Sequence, residues 1–387
     1  MTNSPTSDPH ANFYPGRLHI DLDALAANWR DLAAAGGPDV TTSAVVKGDG
    51  YGIGLEPAAR TLSRAGCTEF FVATPQEGES LRHILPLATI FVLDGLIAGS
   101  SRWMVERALR PVLSSVQEIE EWQAERGAGP DADAAIMVDT GMNRLGVTPA
   151  ELSKLTERPD ALSASGTVLI MSHLACADTP QHEANQAQLV LFRALRLRFP
   201  SIQASLANSA GIFLGPDYHF DLVRPGIALY GGAATEAATA PLLPVVRFEA
   251  RILQIRDAKE GESVGYGATE RLKRPSRIAV VGAGYADGYH RRAGSSDEQP
   301  GAHAYVGGQF APIVGRVSMD LTAVDVTDIV GVEGGDWVEM FGEHVSVDEV
   351  ASHAGTIGYE LLTGLGRRMQ RLYHGGPSLP PQRQIGS

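Results

Sequence analysis

From about residue 17 to 240, short apolar runs alternate with stretches of helical spacing. The apolar runs fall at 43–47, 69–73, 89–93, 111–113, 134–138, 167–171, 202–206 and 220–224. They are brief and lack polar alternation, the pattern of strands buried on both faces of a parallel sheet. Helices fill the gaps. Thr179 as cap and Pro180 as first residue predict one whose inner face is Ala184, Ala187, Leu191 and Ala194. Eight strand–helix units in roughly 220 residues predict a (β/α)8 TIM-like barrel, with an open doubly wound sheet as the alternative. Beyond about 245 the helical spacing thins. The segments 246–255, 277–281, 309–316, 322–326 and 336–341 read as strands between Gly- and Asp-bearing turns. The expected class is therefore α/β, a barrel followed by a mainly β C-terminal domain. The expected division is a loose leader at 1–15, the barrel at 16–244, the β domain at 245–375 and a tail at 376–387, with the junction at 233–243.

Composition narrows the function. The 387 residues are 44% hydrophobic and 20% charged, which excludes wholesale disorder and suits two domains. Lys and Arg number 32 against 45 Asp and Glu, and the net charge of −13 argues against a nucleic-acid partner. Cys67 and Cys176 are too few for a disulfide framework and fit a reducing compartment. Residues 1–14 lack a signal-peptide pattern, and the longest apolar stretch, 85–98, is broken by Asp94. No membrane span is expected, and the expected location is the cytoplasm. No Cys/His spacing suggests a metal, and no glycine motif has the flanks of a nucleotide site.

Several strand ends carry reactive groups. In Ala44-Val45-Val46-Lys47-Gly48-Asp49-Gly50-Tyr51-Gly52, apolar residues run into a lysine and a glycine-rich loop. At the C-terminal end of a barrel strand, Lys47 would enter the mouth; partly desolvated, it suits Schiff-base chemistry. The plainer reading is a lysine snorkelling from a strand end. In Met137-Val138-Asp139-Thr140-Gly141-Met142-Asn143-Arg144, Arg144 can meet an anion, or Asp139 and Thr140 can simply satisfy a turn. His173 ends another strand, and a lone histidine is commonly structural. Asn208-Ser209-Ala210 opens a helix whose amides and hydroxyl suit a phosphate. Arg224 ends the last strand, with Gly226 and Ile227 beside it as amide donors. It needs a carboxylate or a ligand nitrogen as acceptor. The second half adds VGYGAT (264–269), GYADGY (284–289), VGRVSMD (314–320) and TIGYE (356–360), whose tyrosines beside glycines are typical of interfaces.

Together these segments resemble the alanine racemases, which use pyridoxal 5'-phosphate (PLP). The resemblance runs from His19-Ile20-Asp21 to Arg371-Leu372-Tyr373 with the motifs in the family's order. The barrel motifs alone would suit any PLP barrel; the four second-half segments are more specific. The resemblance implies that Lys47 binds PLP and serves as one of two bases. Tyr266 is implied as the opposing base, supplied across a head-to-tail homodimer. Arg224 is implied at the pyridine nitrogen, with His173 supporting the ring and Arg224. Tyr51, Ser209, Gly226, Ile227 and Tyr359 match the phosphate-binding positions, and Arg144 and the Met319 backbone match the substrate-carboxylate contacts. Tyr285, Arg291, Arg316, Asp178 and Ile357 match residues of a narrow access corridor. The implied reaction interconverts L- and D-alanine and supplies D-alanine for peptidoglycan. A racemase of broader range, acting on serine or lysine, and a non-catalytic PLP carrier are the alternatives. One position departs from the pattern. Many members carry a lysine, often carbamylated, where this chain has Met137. Arg144 must then be held another way, by a bound anion or by Asn143, and substrate breadth stays open.

Overall fold

The computed structural model describes residues 13–126, 132–155, 157, 161–235 and 242–376. Most of the expected leader and tail, and residues 236–241 of the expected junction, lie outside the described residues. The fold divides into two compact units. One spans residues 23–243; the other joins the chain up to Leu22 to Pro244–Gly375.

In the first unit, seven parallel strands follow one another in chain order. They are Ala44–Val45, Glu69–Val72, Thr89–Val92, Arg110–Leu113, Ala134–Met137, Thr167–Met171 and Gln203–Ser205. Leu222–Val223, parallel to Thr41–Thr42, is the eighth and closes the ring. On one side the Asp221 and Arg224 amides donate to the carbonyls of Ala204 and Ala207, at 3.0 and 2.9 Å. On the other, the Ser43 and Val45 amides donate to the carbonyls of Val223 and Pro225, at 3.1 and 2.9 Å. The apolar runs are continuous because both faces are covered: Phe70, Phe71, Ile90, Phe91, Val112 and Ile136 are all buried. Each such side chain contributes about 2 kcal/mol by leaving water.

Two local expectations need correction. The first strand ends at Val45 rather than at Lys47, which opens a turn instead. The helix expected from Pro180 runs over Glu183–Arg198, capped by the His182 ring accepting from the Ala184 amide at 3.1 Å. Asn185 causes the delay, because its Nδ2 donates to the carbonyls of Cys176, Thr179 and Pro180 and fixes them in a turn. The buried face is Asn185, Gln188, Leu189, Phe192 and Leu195. Ala187 and Ala194 are exposed, and Ala184 and Leu191 only half-buried.

The second unit is built on an eight-stranded sheet. Its main path runs Gln309–Pro312, His303–Val306, Trp337–Phe341, Val246–Ala258, Gly16–Asp21, Gln370–His374. Ser276–Val281 also pairs with Val246–Ala258 and carries Thr322–Asp325 on its far edge. Val246–Ala258 serves several neighbours because two register shifts, at Phe248/Glu249 and Ile252/Gln254, bend it from one set to the next. The strand expected over 309–316 stops at Pro312, and those at 303–306 and 370–374 were not anticipated. Gly16–Asp21, expected with the barrel, lies in this sheet between Val246–Ala258 and Gln370–His374. Among the described residues, no helix is long and apolar enough to cross a membrane, and Cys67 and Cys176 are free thiols.

Candidate active site

The lysine turn begins where the Val46 amide donates to the Phe71 carbonyl at 2.9 Å. Beyond Lys47, residues Gly48, Asp49, Gly50, Tyr51 and Gly52 take φ values of 64°, 55°, 61°, 51° and 84°. A left-handed run costs about 1–2 kcal/mol for each residue with a side chain. Three glycines remove most of that and leave the strain on Asp49 and Tyr51. The turn is held by the Gly50 amide on Val46, the Gly52 amide on Gly48 and the Gly54 amide on Asp49, at 2.8–2.9 Å. Asp49 Oδ1 also accepts the Leu55 amide at 2.8 Å. Glu77 clamps the turn from outside. Its Oε1 accepts the Gly48 amide at 2.7 Å and its Oε2 the Ala73 amide at 2.8 Å, while Thr74 caps the helix Pro75–Ile84. Sequence reasoning passed over Glu77, although Thr74 with Glu77 three residues later is a capping-box signature. Lys47 itself is half-buried. Burial lowers its pKa, and the Arg144 charge adds to this, against opposing pulls from Asp94 and Glu77.

Arg224 lies just past the closing strand and is buried. Its Nη1 donates to Ser205 Oγ, and its Nη2 to the carbonyls of Ser172, at 2.6 Å, and Leu206, at 3.5 Å. These acceptors are neutral, and among the described residues no carboxylate pairs with it. Burial pulls its pKa down, as expected of a cation without a counter-charge. His173 is kept neutral: burial and the charges of Arg224, Arg144 and Lys47 push its pKa down to about 3. Those four side chains therefore share one electrostatic site at the C-terminal ends of the barrel strands.

Beside it lies a cradle of hydroxyls. Asn208 caps the helix Ser209–Phe213 by accepting the Gly211 amide at 2.9 Å. Ser209 Oγ accepts the amides of Gly226, at 2.7 Å, and Ala228, at 3.3 Å, so its own proton remains to be donated. The Gly226 amide, expected as a ligand donor, is thus engaged by Ser209. A Cβ on Gly226 would sit 2.3 Å from the Tyr51 hydroxyl, which rests directly on that glycine. The Tyr51 ring stacks on Tyr230 at 4.5 Å between centroids, and Tyr230 Oη donates to the Val45 carbonyl at 3.1 Å. Ile227 is buried and opens the next turn, Ile227–Tyr230.

The exposed Arg144 is carried on a loop that Asp139 organises. Asp139 Oδ1 accepts the amides of Gly141, Met142 and Asn143, at 2.9–3.1 Å. Although burial pushes the Asp139 carboxyl up, these bonds hold it below its ordinary pKa. Met137 is buried beneath this loop, with its Cγ 3.1 Å from where a Cβ on Gly146 would lie. Gln188, absent from the sequence-based candidates, ties the loop to its neighbour. Its Nε2 donates to Thr140 Oγ1 at 3.1 Å and to the His173 carbonyl at 2.9 Å, while its Oε1 accepts the Ala175 amide at 2.9 Å. A buried polar residue with every bond made breaks hydrophobic periodicity, which is why the helix face was misread.

In the second unit three of the four tyrosine and glycine segments, at 264–269, 284–289 and 314–320, meet. Tyr266 is 67% exposed, on a turn whose Gly265 and Gly267 have φ of 76° and 80° and whose Gly267 lies against Arg316 Nη1. The amides of Tyr285 and Ala286 donate to the carbonyls of Ser318 and Met319, each at 3.0 Å. Met319 is 53% exposed. Arg368 bridges Asp287 and Asp320, at 2.9 and 2.7 Å, and so braces the Met319 loop. Tyr359 lies on the helix Gly358–Thr363, its carbonyl accepting from Thr363 Oγ1 at 2.8 Å.

The barrel residues fit PLP. A desolvated lysine suits its aldehyde, a buried guanidinium without a carboxylate suits its ring nitrogen, and the Tyr51 and Ser209 hydroxyls suit its phosphate. Comparison with known proteins agrees. Residues 20–234 match the family model for the alanine racemase N-terminal domain, and residues 245–373 that for the C-terminal domain. The biosynthetic alanine racemase of Agrobacterium fabrum is 49% identical over 367 residues, 93% of this chain and 94% of that protein. The catabolic alanine racemase of the same organism is 44% identical over 364 residues, 92% of each chain. The crystal structure of alanine racemase from Bartonella henselae with covalently bound pyridoxal phosphate superposes with a TM-score of 0.86. It is 39% identical and covers 93% of this chain and 99% of that one.

Proposed function

The chain belongs to the alanine racemase family, and on that premise we propose that it interconverts L- and D-alanine with Lys47 and Tyr266 as its two bases. It is a PLP-dependent isomerase. Bound PLP supplies the electron sink that makes the α-proton of the amino acid removable. The chain supplies orientation and proton transfer. Racemisation removes the proton from one side of the tetrahedral α-carbon and returns one to the opposite face of the flat carbon that results, which requires two groups on opposite sides. Lys47, half-buried and with a lowered pKa, serves one face from the barrel mouth. Tyr266, exposed in the single chain, serves the other face of a partner's site in a homodimer. Arg224 holds the ring nitrogen while keeping its own proton, and His173 supports it as a neutral ring. Tyr51, Ser209, Ile227 and Tyr359 hold the phosphate, with the Gly226 amide positioning the Ser209 hydroxyl, and Arg144 and the Met319 backbone hold the substrate carboxylate. The location is the cytoplasm, and the product D-alanine goes to peptidoglycan.

The observation that carries this reading is Lys47 itself: a desolvated ammonium fixed by a strained glycine turn beside Arg144. The test is to treat the yellow purified protein with borohydride, digest it, and follow the optical rotation of L-alanine before and after. Cofactor fixed to the peptide holding Lys47, with loss of racemisation, is expected. Cofactor fixed elsewhere, or L-alanine left unchanged by the untreated protein, overturns it. Running L-serine and L-lysine in the same assay measures how far Met137 broadens the substrate range.

A further inference from the structure

We propose that His303, Glu349 and His353 form a binding site for a divalent transition metal, of the kind zinc occupies, in the β unit. His303 lies on the strand His303–Val306, and Glu349 and His353 lie four apart on the helix Val347–Ala354, on one face. One donor atom from each residue lies within 4.8 Å of the other two. His303 Nδ1 and Glu349 Oε1 are 3.3 Å apart, and the His303 and His353 rings meet edge to face at 6.2 Å between centroids. Ligands about 2.0–2.1 Å from a tetrahedral zinc stand roughly 3.4 Å from one another. One pair is therefore already at bonding separation, and the half-buried side chains need only small rotations to close the rest.

The donor set selects the metal class. Two imidazoles and one carboxylate suit zinc, nickel or cobalt far better than magnesium or calcium, and leave a fourth position for water. Ser346 caps the helix by accepting the Glu349 amide at 3.0 Å, which fixes the backbone from which the carboxylate reaches His303. Sequence spacing did not disclose the site because His303 is 46 residues from Glu349 and the helix supplies a single histidine.

The test uses the untagged, PLP-loaded full chain, stripped of metal with a chelator and dialysed against buffered Zn2+, with bound zinc counted by mass spectrometry. The wild type is expected to take up one zinc per chain at this site and to melt several degrees higher with zinc than without. His353→Gln and Glu349→Gln, each checked for native melting without zinc, are expected to weaken that site at least tenfold and to lose the zinc-dependent rise. Should either fail to fold, His303→Ala serves in its place. Uptake by the variants within tenfold of the wild type, or none by the wild type, overturns the proposal and leaves a plain His303–Glu349 ion pair.

Discussion

Glu77 accepts the Gly48 amide at 2.7 Å with one oxygen and the Ala73 amide at 2.8 Å with the other, so a single carboxylate fastens the lysine turn to the start of the helix Pro75–Ile84. Glu77→Ala should lower stability by about 1–3 kcal/mol through loss of the cap and an amide left without its acceptor. Glu77→Gln keeps an acceptor but removes the negative charge that raises the Lys47 pKa. Lys47 should then lose its proton at lower pH, moving the acid limb of the pH–rate profile downward. Urea midpoints check the first outcome and pH–rate measurements the second. An unaltered midpoint in the alanine variant would show that the clamp has no mechanical role.

The two bases can be separated by enantiomer. Tyr266→Phe should slow α-deuterium exchange of L-alanine by about 10²- to 10⁴-fold and affect D-alanine far less. Lys47→Ala should abolish racemisation of both. Because the reading puts each base on a different subunit, heterodimers of the two variants should regain one native site. Verified heterodimers with no activity would rule out a shared site.

Gly226→Ala tests the phosphate cradle. The added methyl would sit 2.3 Å from the Tyr51 hydroxyl, whose ring is already fixed against Tyr230 and whose backbone is left-handed. Tyr51 has to move, so PLP should bind at least tenfold more weakly while the barrel strands stay intact. Equilibrium dialysis of cofactor gives the answer; wild-type affinity in this variant would remove Tyr51 from the cradle.

His173 carries a pH signature. The unfolded chain binds a proton here below about pH 6.5, whereas the folded chain does not until about pH 3. The group therefore takes nothing from stability above 6.5 and progressively destabilises the fold as pH falls toward 3. At pH 5 the loss is about 2 kcal/mol. His173→Gln should flatten the decline between pH 7 and 5 by that amount, measured from urea midpoints at the two values. Parallel declines in the two proteins would refute it.

The barrel was legible because strands covered on both faces need continuous apolar runs, and those runs survive in any window of the sequence. Its end-points were not. Lys47 was placed on a strand because Val45 and Val46 are apolar, yet the backbone turns left-handed at Gly48, and glycine content alone does not give the hand of a turn. The helix Glu183–Arg198 was misphased because Asn185 and Gln188 occupy its buried face, where their hydrogen bonds replace hydrophobic contact. Glu77 and Gln188 hold the candidate site together from outside it, through partners that only folding brings near. The roles of Tyr266, Met319 and Tyr359 came from family likeness, since nothing in their local composition marks them as reactive.

The placement of Gly16–Asp21 bears on how the molecule is made. Arg17 stands opposite Glu249, 232 residues later, and His19 bonds to His374, 355 residues later. At about 5–20 residues per second, a ribosome takes tens of seconds to deliver these partners. The nascent chain thus carries a bare β-edge ahead of a barrel that can already form, and such edges pair with whatever strand they meet. Chaperone protection of the first two dozen residues should therefore govern yield, and a fragment begun at Pro244 would lack the strand that joins Val246–Ala258 to Gln370–His374 however well it were expressed.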